Sequence, residues 1–360
     1  MRIAFLTSDL DVTNGWGRYS AGFLAEARER HGVEAVRVPD PKGMRSGDIR
    51  WHQPVTALLD ALRLRKEMKG VDIVHAATEP VAPLAFLLSR FLRVPYVVSI
   101  HGTYGDLATY APSVRWLYRL AFSRADRLLP VSRYTADVIR RQFPHAKIAI
   151  VPGGFSLEGV AMERTPRAAE PRILSVGAVK PRKGYHTLIE ALGMLKAQGV
   201  PFRAECLGPT WPNGYFARIE ARVKELGLTD RVRFAGRVSE SELRSAYARA
   251  DLFVLPSEHE GTAFEGLGLV YLEAMARGVP AIGCLESGAT DVIQDGVNGL
   301  LAPPGDPEKL AAAIRRVLND EALRRKMSEA APASVERFRW EKVGAEMAAA
   351  YENASKEYAS

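Results

Sequence analysis

Short apolar runs alternate with amphipathic stretches along the whole chain. In the first half the runs are Ile3–Leu6, Val33–Val38, Val71–His75, Tyr96–Ile100, Arg127–Val131 and Ile148–Val151. In the second they are Ile173–Val176, Arg203–Leu207, Val232–Phe234, Leu252–Leu255, Ala281–Gly283 and Gly299–Leu301. Runs of this kind, rich in strand formers and spaced by helical periodicity, predict an α/β protein with parallel sheets. Phe155 to Pro171 is polar, carries prolines and lacks a clean period. It reads as a linker between a domain over residues 1–160 and another over 170–335. Val335, Phe338, Val343, Met347 and Tyr351 suit one core-facing side of the final helices, with 336–360 as a separate C-terminal segment.

The stretch from Glu265 to Ala276 holds two carboxylates, Glu265 and Glu273, eight positions apart across a Gly-x-Gly turn. Ahead of it, Ala250–Leu255 reads as a buried strand closed by Pro256 and Ser257. Behind it, Leu269, Leu272, Ala276 and Val279 mark one helical face, which Gly278 and Pro280 stop. Gly266 and Gly268 then fall at a helix N-terminus, where free amides and the dipole favour an anion. Glu273, over a turn into that helix, is poorly placed for phosphate and better suited to a diol such as ribose. The alternative is a surface helix with two solvated glutamates.

Other candidates follow strand ends, where parallel sheets bind ligands. Lys180, Arg182 and Lys183 lie between the Ile173–Val176 run and a helix beginning near Tyr185, a setting that suits a diphosphate leaving group. His101 ends the Tyr96–Ile100 run, and His75 is a weaker candidate by the same geometry. Gly15 and Gly17 open a helix after the first strand, but Ser20 stands where a nicotinamide-binding fingerprint needs its last glycine. Asp9 and Asp11 read as loop residues, with no obligatory metal or other cofactor expected. Tyr110 to Leu120 combines aromatic and basic residues on a helix, either interfacial or core-facing with basic edges.

Composition narrows the class. Of 360 residues, 47% are hydrophobic and 25% charged, as in a globular protein. No apolar run is long enough to span a membrane, and Met1–Asp9 reads as a first strand rather than a signal peptide. Cys206 and Cys284 suggest neither a disulfide framework nor a zinc site, so a cytoplasmic location is expected. Residues 1–160 carry 22 Lys and Arg against 15 Asp and Glu, whereas 161–360 carry 27 of each. A basic first half suits a phosphate-bearing substrate or an anionic membrane surface, such as the inner face of the membrane.

The motifs, taken in order, resemble the retaining glycosyltransferases of family 4. They are Ile150-Val-Pro-Gly-Gly154, Ser175 to Gly184, Val232-Arg-Phe-Ala-Gly236, Pro256-Ser257, the Glu265-x7-Glu273 signature, Gly278-Val-Pro280, Asp295 to Leu301, and Phe338-Arg-Trp340-Glu341. The resemblance is strongest over residues 170–345. It implies a GT-B fold, with two Rossmann-like domains facing each other across a deep cleft and the last helix crossing back to the first. It further implies transfer of a hexose from a UDP- or GDP-sugar to a small-molecule, glycan or lipid-linked acceptor, without nucleic acid or a metal.

The roles it implies are specific. Lys183 would bind the diphosphate, His101 the donor sugar, and Gly15 and Gly17 the diphosphate or acceptor. Glu265 would sit at the sugar hydroxyls and Glu273 at the ribose. The amides of Leu267, Gly268 and Leu269 would reach sugar and phosphate, and backbone at Arg237 and Val238 the base. The family's diphosphate arginine is replaced by Ala178, for which Lys180 or Arg182 would substitute. Alternatives are a non-catalytic sugar-nucleotide-binding subunit, an epimerase or a phosphorylase.

Overall fold

A computed structural model describes residues 1–7, 10, 15–30, 34–35, 54–156, 170–211 and 214–359. Asp9, Asp11, Asn14, most of the Val33–Val38 run and the linker residues 157–169 lie outside these. The chain forms two compact units, Met1–Ser156 with Phe338–Ser360, and Leu157–Arg337.

The first unit is a parallel sheet with helices on both faces. Its strands are β1 (Arg2–Leu6), β2 (Glu34–Ala35), β3 (Ile73–Ala76), β4 (Tyr96–Ile100) and β5 (Arg127–Pro130), in the order β2-β1-β3-β4-β5. Its first helices are α1 (Gly15–Arg30), α2 (Pro54–Glu67), α3 (Ala82–Leu92), α4 (Pro112–Ser123) and α5 (Arg133–Gln142). Strands β1, β3, β4 and β5 are buried on both faces, which is why they read as continuous apolar runs. Ala4, Leu6, Val74, Val98 and Ile100 enter one core; Ile3, Phe5, Ile73, Val97 and Leu129 enter the other.

The run Ile148–Val151 falls short of a strand. It follows β5 through Leu128 N–H to Lys147 O (2.9 Å) and Ala149 N–H to Leu128 O (3.0 Å), with one parallel bridge between Leu128 and Ile148. Pro130 has no amide to continue the ladder.

The second unit carries β6 (Arg172–Val176), β7 (Arg203–Leu207), β8 (Val232–Gly236), β9 (Leu252–Val254), β10 (Ala281–Cys284) and β11 (Gly299–Ala302), in the order β11-β10-β9-β6-β7-β8. Its helices are α6 (Tyr185–Ala197), α7 (Gly214–Glu225), α8 (Glu240–Arg249), α9 (Leu269–Met275), α10 (Ala289–Val292), α11 (Pro307–Asn319) and α12 (Glu321–Val335). Every pairing is parallel, and the order reverses between β6 and β9. Val335 falls in this unit, whereas Phe338 and the helix after it belong to the first.

The last helix, α13 (Trp340–Ala359), returns to the first unit. Trp340, Val343, Met347, Tyr351 and Ala354 complete the core that holds Phe5 and Phe23. His75 is buried there, its Nδ1 at 2.7 Å from Tyr351 Oη and its Nε2 at 2.9 Å from Ser99 Oγ. Burial pushes its pKa down to about 3. With both nitrogens engaged, His75 is a core residue.

The Trp340 indole lies against two glycines: a Cβ on Gly22 or on Gly154 would sit 2.3 Å from its ring. Helix propensity alone would make Gly22→Ala stabilising by about 1 kcal/mol. Crowding against Trp340 reverses the sign. Urea unfolding of Gly22→Ala should show a loss of about 1–3 kcal/mol, as for an overpacked core.

Candidate active site

Where strand order reverses, neighbouring crossover connections leave on opposite faces and open a crevice at the carboxyl ends. In the second unit that point lies between β6 and β9. The segment after β6 makes a tight helical turn, Pro181–Lys183, and Gly184 then caps α6 at φ 66°. A Cβ on Gly184 would lie 1.8 Å from Pro256 O, so glycine lets this turn pack directly on the exit of β9.

That approach brings Lys183, Arg182, Ser257 and Glu265 together. Lys183 Nζ makes a short contact with Glu265 Oε2. Arg182 Nη1 lies 3.4 Å from the same oxygen and donates to Phe264 O at 3.3 Å, and Ser257 Oγ donates to Glu265 Oε2 at 3.2 Å. Burial pushes the Glu265 carboxyl up, but Lys183 and Arg182 outweigh it and bring the pKa down to about 2. Burial and Arg182 lower the Lys183 pKa, against the pull of Glu265. One buried carboxylate thus holds two cations at the crevice, leaving a net positive charge for an anionic group.

The other residues singled out in this unit are distributed around that cluster. Lys180 is exposed and points to Trp211, its Nζ 5.9 Å from the ring centroid, so of the two basic residues near Ala178 only Arg182 joins the cluster. Leu267 is buried, Gly268 is left-handed at φ 82°, and Leu269 begins α9. Glu273 is engaged elsewhere, its Oε2 accepting from Tyr247 Oη on α8 at 2.9 Å. Val238 is part-buried between β8 and α8.

In the first unit strand order reverses between β1 and β3. Gly15 and Gly17 open α1, Gly15 exposed and Gly17 buried. His101 follows β4. Its Nε2–H donates to Ala77 O at 2.8 Å, which leaves Nδ1 as the ring's acceptor. Its ring stands edge-on to Tyr19, 4.5 Å between centroids, and burial lowers its pKa to about 4.

Sequence reasoning named Ser257 only as part of a motif, without a site role, and missed Glu258 and Glu79. Glu258 N–H bonds Arg182 O at 2.9 Å, and its carboxylate takes Thr187 Oγ1 and His186 Nε2 (3.2 Å), so it braces the turn that carries Lys183. Glu79 accepts the amides of His101 and Gly102 at 2.6 and 3.1 Å. An acidic residue just past an apolar run was the available signal for it. Among the described residues no group of three or more His, Cys, Asp or Glu could hold a metal ion.

Residues 18–158 match the family described as Glycosyltransferase Family 4, and residues 162–334 match Glycosyl transferases group 1. An alpha-D-kanosaminyltransferase of Streptomyces kanamyceticus is 30% identical over 332 residues, 85% of this chain and 81% of that one. A GDP-mannose-dependent alpha-(1-6)-phosphatidylinositol monomannoside mannosyltransferase of Mycolicibacterium smegmatis is 29% identical, over 78% of each chain. Among solved structures, a sucrose-phosphate synthase from Thermosynechococcus elongatus superposes with a TM-score of 0.79 at 22% identity, covering 98% of both chains. Anabaena HepE in complex with UDP-glucose gives 0.75 at 22% identity, over 97% of this chain and 98% of that one. The fold is GT-B, and the chain belongs to the group 1, family 4 glycosyltransferases.

Proposed function

We propose that this protein is a retaining hexosyltransferase that moves a sugar from a UDP- or GDP-sugar to a hydroxyl acceptor, in polysaccharide, glycolipid or other glycoconjugate synthesis. The Lys183–Arg182–Glu265 cluster at the reversal between β6 and β9 carries the reading. In this reading the diphosphate binds Lys183 and Arg182 and the amides of Leu267, Gly268 and Leu269. Glu265 holds the two cations in place and meets the sugar hydroxyls. Glu273 takes the ribose diol, and backbone at Val238 meets the base.

The acceptor hydroxyl attacks the anomeric carbon on the face from which the diphosphate departs, so configuration is kept. The C–O bond to phosphate breaks, its electron pair goes to the diphosphate, and the acceptor proton passes to the departing phosphate oxygen. Fixed cations and amides aimed at the developing charge supply the stabilisation. From the first unit, His101 offers Nδ1 to a sugar hydroxyl, and Gly15 and Gly17 offer amides. Arg182 takes the place that Ala178 vacates, which speaks against a non-catalytic donor-binding subunit. No metal enters this scheme.

We further propose that the protein works against an anionic membrane surface. No described helix is long and apolar enough to cross a membrane. The Tyr110–Leu120 stretch takes its core-facing reading: Tyr110, just ahead of α4, and Leu117 and Tyr118 on it are buried, leaving Trp116 exposed. On α2, by contrast, Val55, Leu58, Leu59 and Leu62 are exposed, with Arg63, Arg65 and Lys66 beside them. Such a face suits a headgroup layer.

A screen of UDP-glucose, UDP-N-acetylglucosamine, UDP-galactose and GDP-mannose for slow hydrolysis should give nucleotide release from one donor. Lys183→Ala should lower kcat by about 10²–10³-fold. Glu273→Ala should act mainly on donor KM. Donor binding without hydrolysis or transfer to any acceptor would favour the non-catalytic subunit instead. In flotation assays the protein should follow phosphatidylglycerol vesicles over phosphatidylcholine ones, and Leu59→Asp should release it. Equal partition of the two proteins would retire the membrane reading.

A further inference from the structure

Glu79 stands just past β3 in the first unit, beside the reversal between β1 and β3, and is fully buried. Its Oε1 accepts two main-chain amides, those of His101 and Gly102. Its Oε2 is buried with no hydrogen-bond partner among the described residues. Gly102 sits at φ 137°, ψ −106°, a region closed to side-chain-bearing residues, so the two amides are turned toward one oxygen by backbone that requires glycine. The imidazole of His101 is tied back to the same strand exit through Ala77 O. Carboxylate and carbonyl together fix both the main chain and the ring of His101.

A carboxylate clamp in such surroundings is costly to keep ionised. The titratable groups around it are Tyr19 on α1, Tyr110 ahead of α4, and the imidazoles of His101 and His75, both held neutral by burial. Burial outweighs the main-chain amides of Glu79 itself, His101 and Gly102 and raises the Glu79 pKa to about 7.

We propose that Glu79 is a positioning residue whose ionised carboxylate holds the His101–Gly102 segment in its working geometry and loosens it on taking up a proton. This rests on the reading of His101 as a group that meets substrate. Bonds to a carboxylate are roughly twice as strong as those to a neutral acceptor. Protonation leaves Oε1 a weaker acceptor and puts a donor on Oε2 where no acceptor waits. Activity should therefore fall as the pH drops through neutrality, in kcat more than in KM.

The test pairs two measurements on the full chain and on Glu79→Gln, which keeps the shape and one acceptor oxygen but cannot ionise. Carbon-13 labelling of glutamate carboxyls should show a resonance titrating near neutrality, absent in Glu79→Gln, with the His101 and Gly102 amide shifts following it. Donor hydrolysis should show a kcat inflection at the same pH in the native protein and a flat profile in the variant. A folded-state pKa above the usual carboxylate range also means stability is present at low pH and lost as pH rises through neutrality. Glu79→Gln should therefore be the more heat-stable protein above that point.

A carboxyl titrating in the ordinary range, or amides that do not follow it, would overturn the proposal. So would superimposable kcat profiles, or a variant less stable than the native protein at alkaline pH. Should no donor be hydrolysed, the functional reading fails, and the amide shifts and the sign of the stability change decide the clamp by themselves.

Discussion

Each unit is a parallel sheet, and a parallel sheet whose strand order reverses leaves its carboxyl edge open at one place. The chemistry of both units gathers near that opening. In the second unit, loops from β6 and β9 deliver Lys183, Arg182, Ser257 and Glu265. In the first, β3 delivers Glu79 and the neighbouring β4 delivers His101, with α1 starting close in sequence after β1. Burial on both faces disfavours unpaired charges within the strands, so the charged groups gather at the strand ends.

The two carboxylates illustrate opposite solutions to burial. Glu265 is held ionised by cations that would themselves be unstable there without it, and separating such a pair typically costs about 3–5 kcal/mol. The cluster therefore preserves a positive site in partly dry surroundings without leaving a lone cation buried. Glu79 has amides instead of cations, and they do not repay the loss of solvent. One carboxylate is insensitive to pH across the physiological range, and the other is poised within it.

Much of this was legible in the chain because buried parallel strands are apolar on both faces and interrupt helical periodicity cleanly. Misreadings came where a local pattern depends on a distant partner. Ile148–Val151 has strand composition, but its neighbour β5 ends in a proline that accepts from Val151 N–H yet has no amide to donate back. For Tyr110 and Tyr118 the pattern left an interfacial and a core-facing reading open, and they take the core-facing one, stacked with centroids 3.6 Å apart. Lys183 and Glu265 were found through their motifs. Glu79 was not, and Ser257 was given no role within its motif, since each acts through contacts with residues elsewhere in the chain that no local spacing encodes. His75, read as lying at a strand exit, sits inside β3, and its structural role depends on a tyrosine 276 positions away.

That last contact bears on how the chain is made. The core around Phe5 and Phe23 needs Trp340, Met347 and Tyr351, which are synthesised only after all of the second unit. At roughly 5–20 residues per second, the intervening segment takes on the order of 10–40 s to emerge. Through that interval the nascent first sheet presents an uncovered apolar face, while the second unit already has the sequence it needs to fold. The first unit thus cannot complete its core until the end of synthesis, and the earliest part of the protein depends longest on protection from aggregation.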